Sequence, residues 1–564
     1  MNRVTRLLSR STAMAVVVLG MSQGAFAQNI FMSRPISGVG SYLAGQQALV
    51  DLDTADAARY FAQAAQADWS NPTVIERSFI AYAADGQIGN AAESAQHLLQ
   101  LDPSNELARV VVATDDIKER RYSAAIDELS KLGTDNFSGI TGSILKAWAY
   151  VGNKQQDEAD KLLDGMSQGG LADFLVFHRA LMAEANGQND KALTYAKQAY
   201  DADPTVARIV EAYARMLGNA GQFDEASKVI ADFTAKGLKH PLVDAVKADI
   251  DAKKRPGMFA GSVQTGAAEM FHGMGVALAR DGSTDLAIVF LRLGSYLEPK
   301  ADIISLVLAQ LLDAAGQHEQ ANDLYDKVPA GSPMKPTAVL RLAANLDDKG
   351  DRSEAIRRLN NIVAINPKDL DAVSTLGDML RSDGKFKEAA DAYTKALALT
   401  GGTTQGDWRF YYVRGIAYER ANEWDKAEPD FLKALDLSPG QPQVLNYLGY
   451  SWVDKGMNLD KALGLIQQAV AAQPDDGYII DSLGWAYYQL GRYDDAAKTL
   501  EQAVQKLPND PEINDHLGDA YWRTGRTLEA KFQWNIAITM DKDGSVKDRV
   551  TPKLANGLDP IAKK

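Results

Sequence analysis

The sequence predicts an all-α solenoid of helix–turn–helix units, and three periodic observations carry that expectation. Small residues form a ladder at Ala57, Ala91, Ala125, Ala159, Ala192, Ala226, Ala287, Ala321, Ala355, Ala389, Ala427, Ala462, Ala496 and Ala530. Successive steps are 33 to 35 residues, apart from one of 61 and one of 38. A second small position lies twelve residues before the rung, clearest at Gly377, Gly415, Gly484 and Gly518. Prolines close many units twelve residues after it, at Pro103, Pro204, Pro299, Pro367, Pro439, Pro474 and Pro508. A fixed period of that size marks stacked repeats, each one supersecondary unit. About fourteen repeats follow from the ladder.

Each element of the unit has a physical reason. The small residues sit where two antiparallel helices cross closely, so larger side chains would splay them. Glycines such as Gly384, Gly456, Gly491 and Gly525 end the first helix, where a left-handed backbone is needed. Proline ends the second helix because it cannot extend the hydrogen-bond ladder. One pair cannot bury its own apolar faces, so neighbours must stack.

Leu483-Gly484-Trp485-Ala486-Tyr487, followed by Gly491, Ala496, Leu500, Ala503 and Pro508, resembles the tetratricopeptide repeat consensus almost position by position. The resemblance spans about residues 41–540, most closely in the last four repeats, and implies a right-handed superhelix.

The first 27 residues read as a processing segment. Arg3, Arg6 and Arg10 precede an apolar run from Ala13 to Met21, and Ala25-Phe26-Ala27 supplies small residues before Gln28. The run is too short for a bilayer core of roughly 30 Å, so a cleaved signal peptide is expected, with no transmembrane segment left afterwards. An organelle transit peptide would instead be amphipathic. Residues 1–27 hold three Arg and no acid, so the net charge of −14 becomes −17 on cleavage. An acidic chain makes nucleic acid an unsuitable partner, because phosphate binding needs a basic footprint. There is no cysteine, which excludes disulfides, thiolate metal sites and thiol nucleophiles. The mature protein is expected in the periplasm.

The irregular steps place the joints. The 61-residue step holds a lone helix near Pro241–Ala252 and then Lys253-Lys254-Arg255-Pro256-Gly257, a basic loop read as solvated. The expected division is an N-terminal lobe at 28–255, a seam at 256–270, a C-terminal lobe at 271–540 and a polar tail at 541–564. The 38-residue step adds an inter-repeat loop at Thr400–Gly406, and Met457-Asn458 adds one turn residue.

Catalytic patterns are missing. His318-Glu319 lacks a second histidine at Asn322, and Gly449-Tyr450-Ser451-Trp452-Val453 lacks the closing glycine of a nucleophile elbow. Asp541, Asp543, Ser545 and Asp548 lack the glycine and glutamate of a calcium loop. No phosphate loop is present, and no cofactor, metal or enzymatic activity is expected.

Binding is the remaining function. The first helix of each pair lines the groove in a tetratricopeptide superhelix. Counting from the helix-crossing glycines puts Arg409, Tyr412, Asn446, Tyr450, Tyr478, Asp481, Trp485, Tyr488, Asp515, Asp519 and Trp522 on that stripe. Tyr487 and Tyr521 fall on the stripe facing the partner helix. Aromatic faces with carboxylates suit an extended peptide with apolar and basic side chains. Trp485 and Trp522 could equally pack against the next repeat, whereas Tyr450 and Tyr488 fit the groove better.

Leu445-Asn446-Tyr447-Leu448-Gly449-Tyr450-Ser451, Asp481-Ser482-Leu483-Gly484-Trp485 and Asn514-Asp515-His516-Leu517-Gly518 form a block similar to the end of exported proteobacterial adaptor lipoproteins. Those adaptors present substrates to a carboxy-terminal-processing protease. The resemblance implies a scaffold that holds such a protease and its cell-wall hydrolase substrates. The adaptors are tethered through a lipidated cysteine, which this sequence lacks. The alternative is a structural scaffold for envelope assembly or polysaccharide export.

Overall fold

The computed structural model describes residues 37–133, 137–166, 172–542, 544 and 546–559. The expected signal segment lies outside the described residues, as do Asp543 and Ser545. Every described regular element is helical, and none is long and apolar enough to cross a membrane.

The chain forms two compact units, ending at Gln317 and beginning at His318. The first holds α1 (Gly38–Val50), α2 (Thr54–Ala67), α3 (Pro72–Asp85), α4 (Ile88–Leu101), α5 (Glu106–Lys118), α6 (Tyr122–Leu129), α7 (Phe137–Gly152), α8 (Gln156–Met166), α9 (Ala172–Ala185), α10 (Asn189–Ala202), α11 (Ala207–Asn219), α12 (Phe223–Ala235), α13 (Pro241–Asp251), α14 (Val263–Arg280), α15 (Thr284–Leu297) and α16 (Asp302–Ala314). The second holds α17 (His318–Lys327), α18 (Lys335–Asp348), α19 (Arg352–Ile365), α20 (Leu370–Ser382), α21 (Phe386–Thr400), α22 (Trp408–Arg420), α23 (Trp424–Leu437), α24 (Pro442–Asp454), α25 (Leu459–Ala472), α26 (Gly477–Gln489), α27 (Tyr493–Lys506), α28 (Pro511–Arg523), α29 (Thr527–Met540) and α30 (Lys547–Asn556).

The fourteen ladder alanines are all helical and none is more than 1% exposed; thirteen lie on the second helix of a packed pair, and Ala321 lies on α17, which opens the second unit and packs on α18. The small residue on the first helix meets a large side chain of the second. A Cβ on Gly415 would lie 2.8 Å from the Phe431 ring, and one on Gly449 would lie 2.7 Å from Ile466 and 3.0 Å from the Ala462 carbonyl. Helix starts follow local chemistry. Asp510 accepts the N–H groups of Glu512 and Ile513, with Pro511 in the first turn of α28. Gly491 ends the preceding first helix at φ +74°, and Asn422 takes the same role at φ +60°.

The expected seam at 256–270 differs from what is observed, because that stretch packs inside the first unit. Glu184 of α9 accepts the N–H groups of Phe259 and Ala260 at 3.1 and 2.9 Å, and Arg215 donates to the Pro256 carbonyl at 2.9 Å. The next pair then enters the concave face of the first repeats. α14 packs on α5, α7 and α9, and α15 packs on α3, α4 and α5. Lys118 reaches the Tyr296 carbonyl at 2.6 Å, Tyr296 donates to Asp115 at 2.8 Å, and Arg292 donates to the Ala84 carbonyl at 3.0 Å. Nine of the 13 residues of α5 are buried as a result. Arg208 pairs with Glu269 and Glu211, tying α14 to α11.

The tail also differs from its expected form. α30 is a helix because Val546, Val550, Leu554 and Leu558 recur every fourth residue, and that stripe packs on the last repeat.

These contacts set a contrast between two glycines. A Cβ on Gly266 of α14 would overlap the Trp148 indole of α7, whereas one on Gly464 of α25 meets nothing within 4 Å. Gly266→Ala is expected to destabilise the first unit by about 1–3 kcal/mol through overpacking. Gly464→Ala is expected to stabilise the second unit by about 0.5–1 kcal/mol through helix propensity. Urea unfolding followed by circular dichroism checks both signs.

Candidate functional site

The two units treat the inward stripe of their first helices differently. In the first unit Val110, Thr114 and Ile117 on α5, and Thr141, Ile144, Trp148 and Val151 on α7, are all buried beneath the α14–α15 pair. In the second unit α22 buries only Gly415 and Ala417. Its neighbours expose Asp371 and Asp378 on α20, Gln443 and Asp454 on α24, and Tyr478 and Gln489 on α26. The open surface is therefore the stripe from α18 to α26.

α22 is the most aromatic helix of that stripe. Arg414 grips Asp430 of α23 with two bonds of 2.7 Å, which fixes the pair. Tyr412 is half-buried among Trp408, Phe431 and Tyr447, with ring centroids 6.0 to 6.3 Å apart. Arg409 is exposed, with its guanidinium 5.8 Å from the Trp408 ring. On α24, Asn446 keeps a buried Oδ1 without a hydrogen-bond partner among the described residues. Tyr450 is partly exposed, and burial together with the Asp481 and Glu512 charges pushes its phenol up.

Seven expected site residues converge further along, around a group that sequence reasoning missed. His516 of α28 donates Nδ1–H to Asp481 of α26 at 3.0 Å, and its Nε2 lies 3.3 Å from Glu512. Burial opposes the imidazolium, but the Asp481 and Glu512 carboxylates outweigh it and push the pKa up to about 10. Burial would raise Glu512, yet hydrogen bonds from His516 and Arg549 hold it at about 2. Trp485 stacks on His516 at 4.2 Å and on Tyr488 at 4.8 Å, with planes within 15° and 6° of parallel. Tyr488 accepts from Arg523 at 3.3 Å. Tyr450 completes the group through the field of Asp481.

The carboxylates expected to face a ligand are instead buried and neutralised by the chain. Arg549 donates to Asp515 at 2.7 Å, and Lys553 reaches Asp515 at 2.7 Å and both oxygens of Asp519 at 2.8 Å. Trp534 adds a bond to Asp519 at 3.0 Å. Trp522 lies 5.5 Å from Trp534 and is covered by Gly557. Asp481, Asp515 and Asp519 are thus engaged within the chain, Trp522 is partly covered, and Trp485 stacks its ring faces on Tyr488 and on His516. Tyr478 stands 59% exposed near Asp510, whose charge leads the raising of its phenol. Of the two residues expected in the core, Tyr521 is buried and donates to Glu501 at 2.9 Å, while Tyr487 stays partly exposed. The missed partners Arg549 and Lys553 were signalled by the four-residue spacing of apolar residues in the tail.

No group of three or more metal-ligating side chains stands among the described residues. The geometry defines a class, antiparallel helix pairs stacked within each of two units. Family models of the tetratricopeptide repeat match residues 183–250 and 408–441, a tetratricopeptide repeat-like domain matches 262–409, and a TPR repeat matches 484–525. The chain belongs to the tetratricopeptide-repeat family. It is 26% identical over 196 residues to a TPR repeat-containing protein of Pseudomonas aeruginosa, covering 34% of this chain and 32% of that one. It is 29% identical over 148 residues to a BBSome complex member of Bos taurus, covering 26% and 27%. A human protein O-mannosyl-transferase is 25% identical over 202 residues, covering 36% and 23%. The chain therefore spans about a third or less of the length of these relatives. Among solved structures, the Cut9–Hcn1 hetero-tetramer of the APC/C is similar at 16% identity, with 93% and 97% coverage and a TM-score of 0.36. Yeast Tom70 is similar at 15% identity, with 92% and 95% coverage and a TM-score of 0.33.

The His516 cluster has a defined pH signature. Its folded pKa of about 10 lies above the unfolded value of about 6.5. The stability it contributes is therefore complete below about pH 6.5 and is lost as pH rises through about 10. Imidazole NMR of His516 in the full chain should show a protonated ring at pH 8. A ring neutral at pH 8 contradicts the ion cluster.

Proposed function

We propose that this chain is an exported, non-catalytic interaction scaffold of the cell envelope, which presents the open stripe of α18 to α26 to a protein partner. The observation that carries the reading is the contrast between α5 and α7, whose inward positions are buried beside α14 and α15, and the stripe of the second unit, where Asp371, Asp378, Gln443, Asp454, Tyr478 and Gln489 are exposed. Tetratricopeptide-repeat proteins mediate protein–protein interaction, and the fold is typically non-catalytic. Export is supported by the positive start, apolar run and Ala25-Phe26-Ala27 of the first 27 residues.

The finer reading is an adaptor that brings a carboxy-terminal-processing protease to cell-wall hydrolases. It rests on the resemblance of the block around Asn446, Trp485 and Asp515 to such adaptors. The partner contacts fall on Arg409, Tyr412, Asn446, Tyr450 and Tyr478, because Asp481, Asp515 and Asp519 are already neutralised. A subunit role in an envelope assembly is the second reading, favoured by the match to a BBSome complex member.

Affinity capture from cell envelopes tests the reading, using the chain from Gln28 and an Arg409→Glu, Tyr450→Ala double variant. The adaptor reading expects a protease and wall hydrolases with the wild type. It also expects about a tenfold or greater loss with the double variant at unchanged helicity, as for removal of an interface hot spot. Recovery of an outer-membrane barrel or a synthase favours the assembly reading. Recovery of neither class, or equal recovery by both chains, counts against the open stripe.

A further inference from the structure

α30 occupies the position that the first helix of a further repeat would take, and it is held there by chemistry that a partner could supply. α28 presents Glu512, Asp515, His516 and Asp519 on one face, at intervals of three and four residues. Onto that face α30 lays Arg549 and Lys553, with ion pairs of 2.5 Å to Glu512, 2.7 Å to Asp515 and 2.8 Å to Asp519. Its apolar stripe is buried at Val546 and Val550 and half-buried at Leu554 and Leu558. The match is between an acidic face and a basic amphipathic helix.

The helix itself is intrinsically weak. It has ten residues, below the length at which an isolated helix is stable in water. Pro552 sits inside it, removing one backbone donor and clashing with the preceding turn. Thr551, Pro552, Ala555 and Asn556 are exposed, so one side of the helix contributes nothing to docking. Its position depends on the apolar stripe and on ion pairs that salt weakens.

We propose that the α28 face beneath α30 is an interaction surface for a partner's basic amphipathic helix, and that α30 is its built-in competitor. Displacement exchanges Arg549 and Lys553 for the partner's basic residues, so no buried carboxylate is left unpaired. The displaced segment frees Trp522, now covered by Gly557, as an aromatic contact next to the open stripe. The proposal rests on the second unit being an interaction surface. Its test reads only the helix and a defined probe, so it can fail independently of the search for a natural partner.

The probe is a labelled peptide of residues 541–559, added in trans to the full-length chain. Arg549→Glu with Lys553→Glu is expected to raise probe affinity at least about tenfold over the wild type, and Arg549→Lys with Lys553→Arg is expected to leave it unchanged. A probe carrying the two Glu substitutions should not bind. Because the charge-reversed chain could lose its last repeat, hydrogen exchange on the wild type supplies a second reading. α30 amides are expected to exchange at least about tenfold faster than α28 amides, and faster still as salt is raised. Exchange of α30 at the rate of α28 overturns the proposal, as does probe affinity that the Glu substitutions leave unchanged. Concentration-dependent doubling of mass in the wild-type chain also overturns it, since that marks exchange of α30 between copies.

Discussion

A close helix crossing leaves each pair with more apolar surface than it can cover, and the rest of the structure is a set of answers to that constraint. Ala496 against the Gly484 turn, or Ala427 against Gly415, brings two backbones near enough for Leu500 and Phe431 to fill the gap. The outer sides of the pair then need a neighbour, which is why the pairs stack within each unit rather than fold separately. A larger side chain at a crossing would separate the helices and uncover the faces that neighbours share.

The array ends its coverage in two ways. In the first unit the chain turns back on itself, and the α14–α15 pair fills the concave face of the repeats that precede it. The polar contacts there go mostly to backbone carbonyls and to buried carboxylates such as Glu184 and Glu269, so the pair is seated by donors that have no solvent alternative. In the second unit a short terminal helix covers only the last repeat. The stripe from α18 to α26 is left with neither cover among the described residues. Burial of charge follows the same division. The His516 cluster is costly to desolvate and holds only because each carboxylate finds a cation, so it fixes α26, α28 and α30 against one another.

The repeat was legible because its signal is periodic. Ladder alanines, crossing glycines and closing prolines each answer a local demand, and local demands leave marks in sequence. The lone helix after Lys239 was legible too, since His240 and Pro241 start it and the basic loop ends it. The filling of the first groove was not, because Thr114 or Ile144 buried under a distant helix reads the same as a residue facing its own pair. The carboxylates of the stripe misled for a related reason. Asp515 and Asp519 stand at groove positions, but their charge is balanced by Arg549 and Lys553 more than thirty residues away. The spacing of Val546, Val550, Leu554 and Leu558 was the available clue.

The α5 and α7 stripe of the first unit is filled by its own chain, whereas the second unit keeps an open stripe. The chain lacks cysteine, so single introduced thiols report each face without background. Thr114→Cys and Ile144→Cys probe the filled face, and Asp378→Cys and Arg409→Cys probe the open one. The second pair is expected to react with a maleimide at the rate of a free thiol, and the first pair at least about a hundredfold more slowly. Comparable rates at all four positions would contradict it.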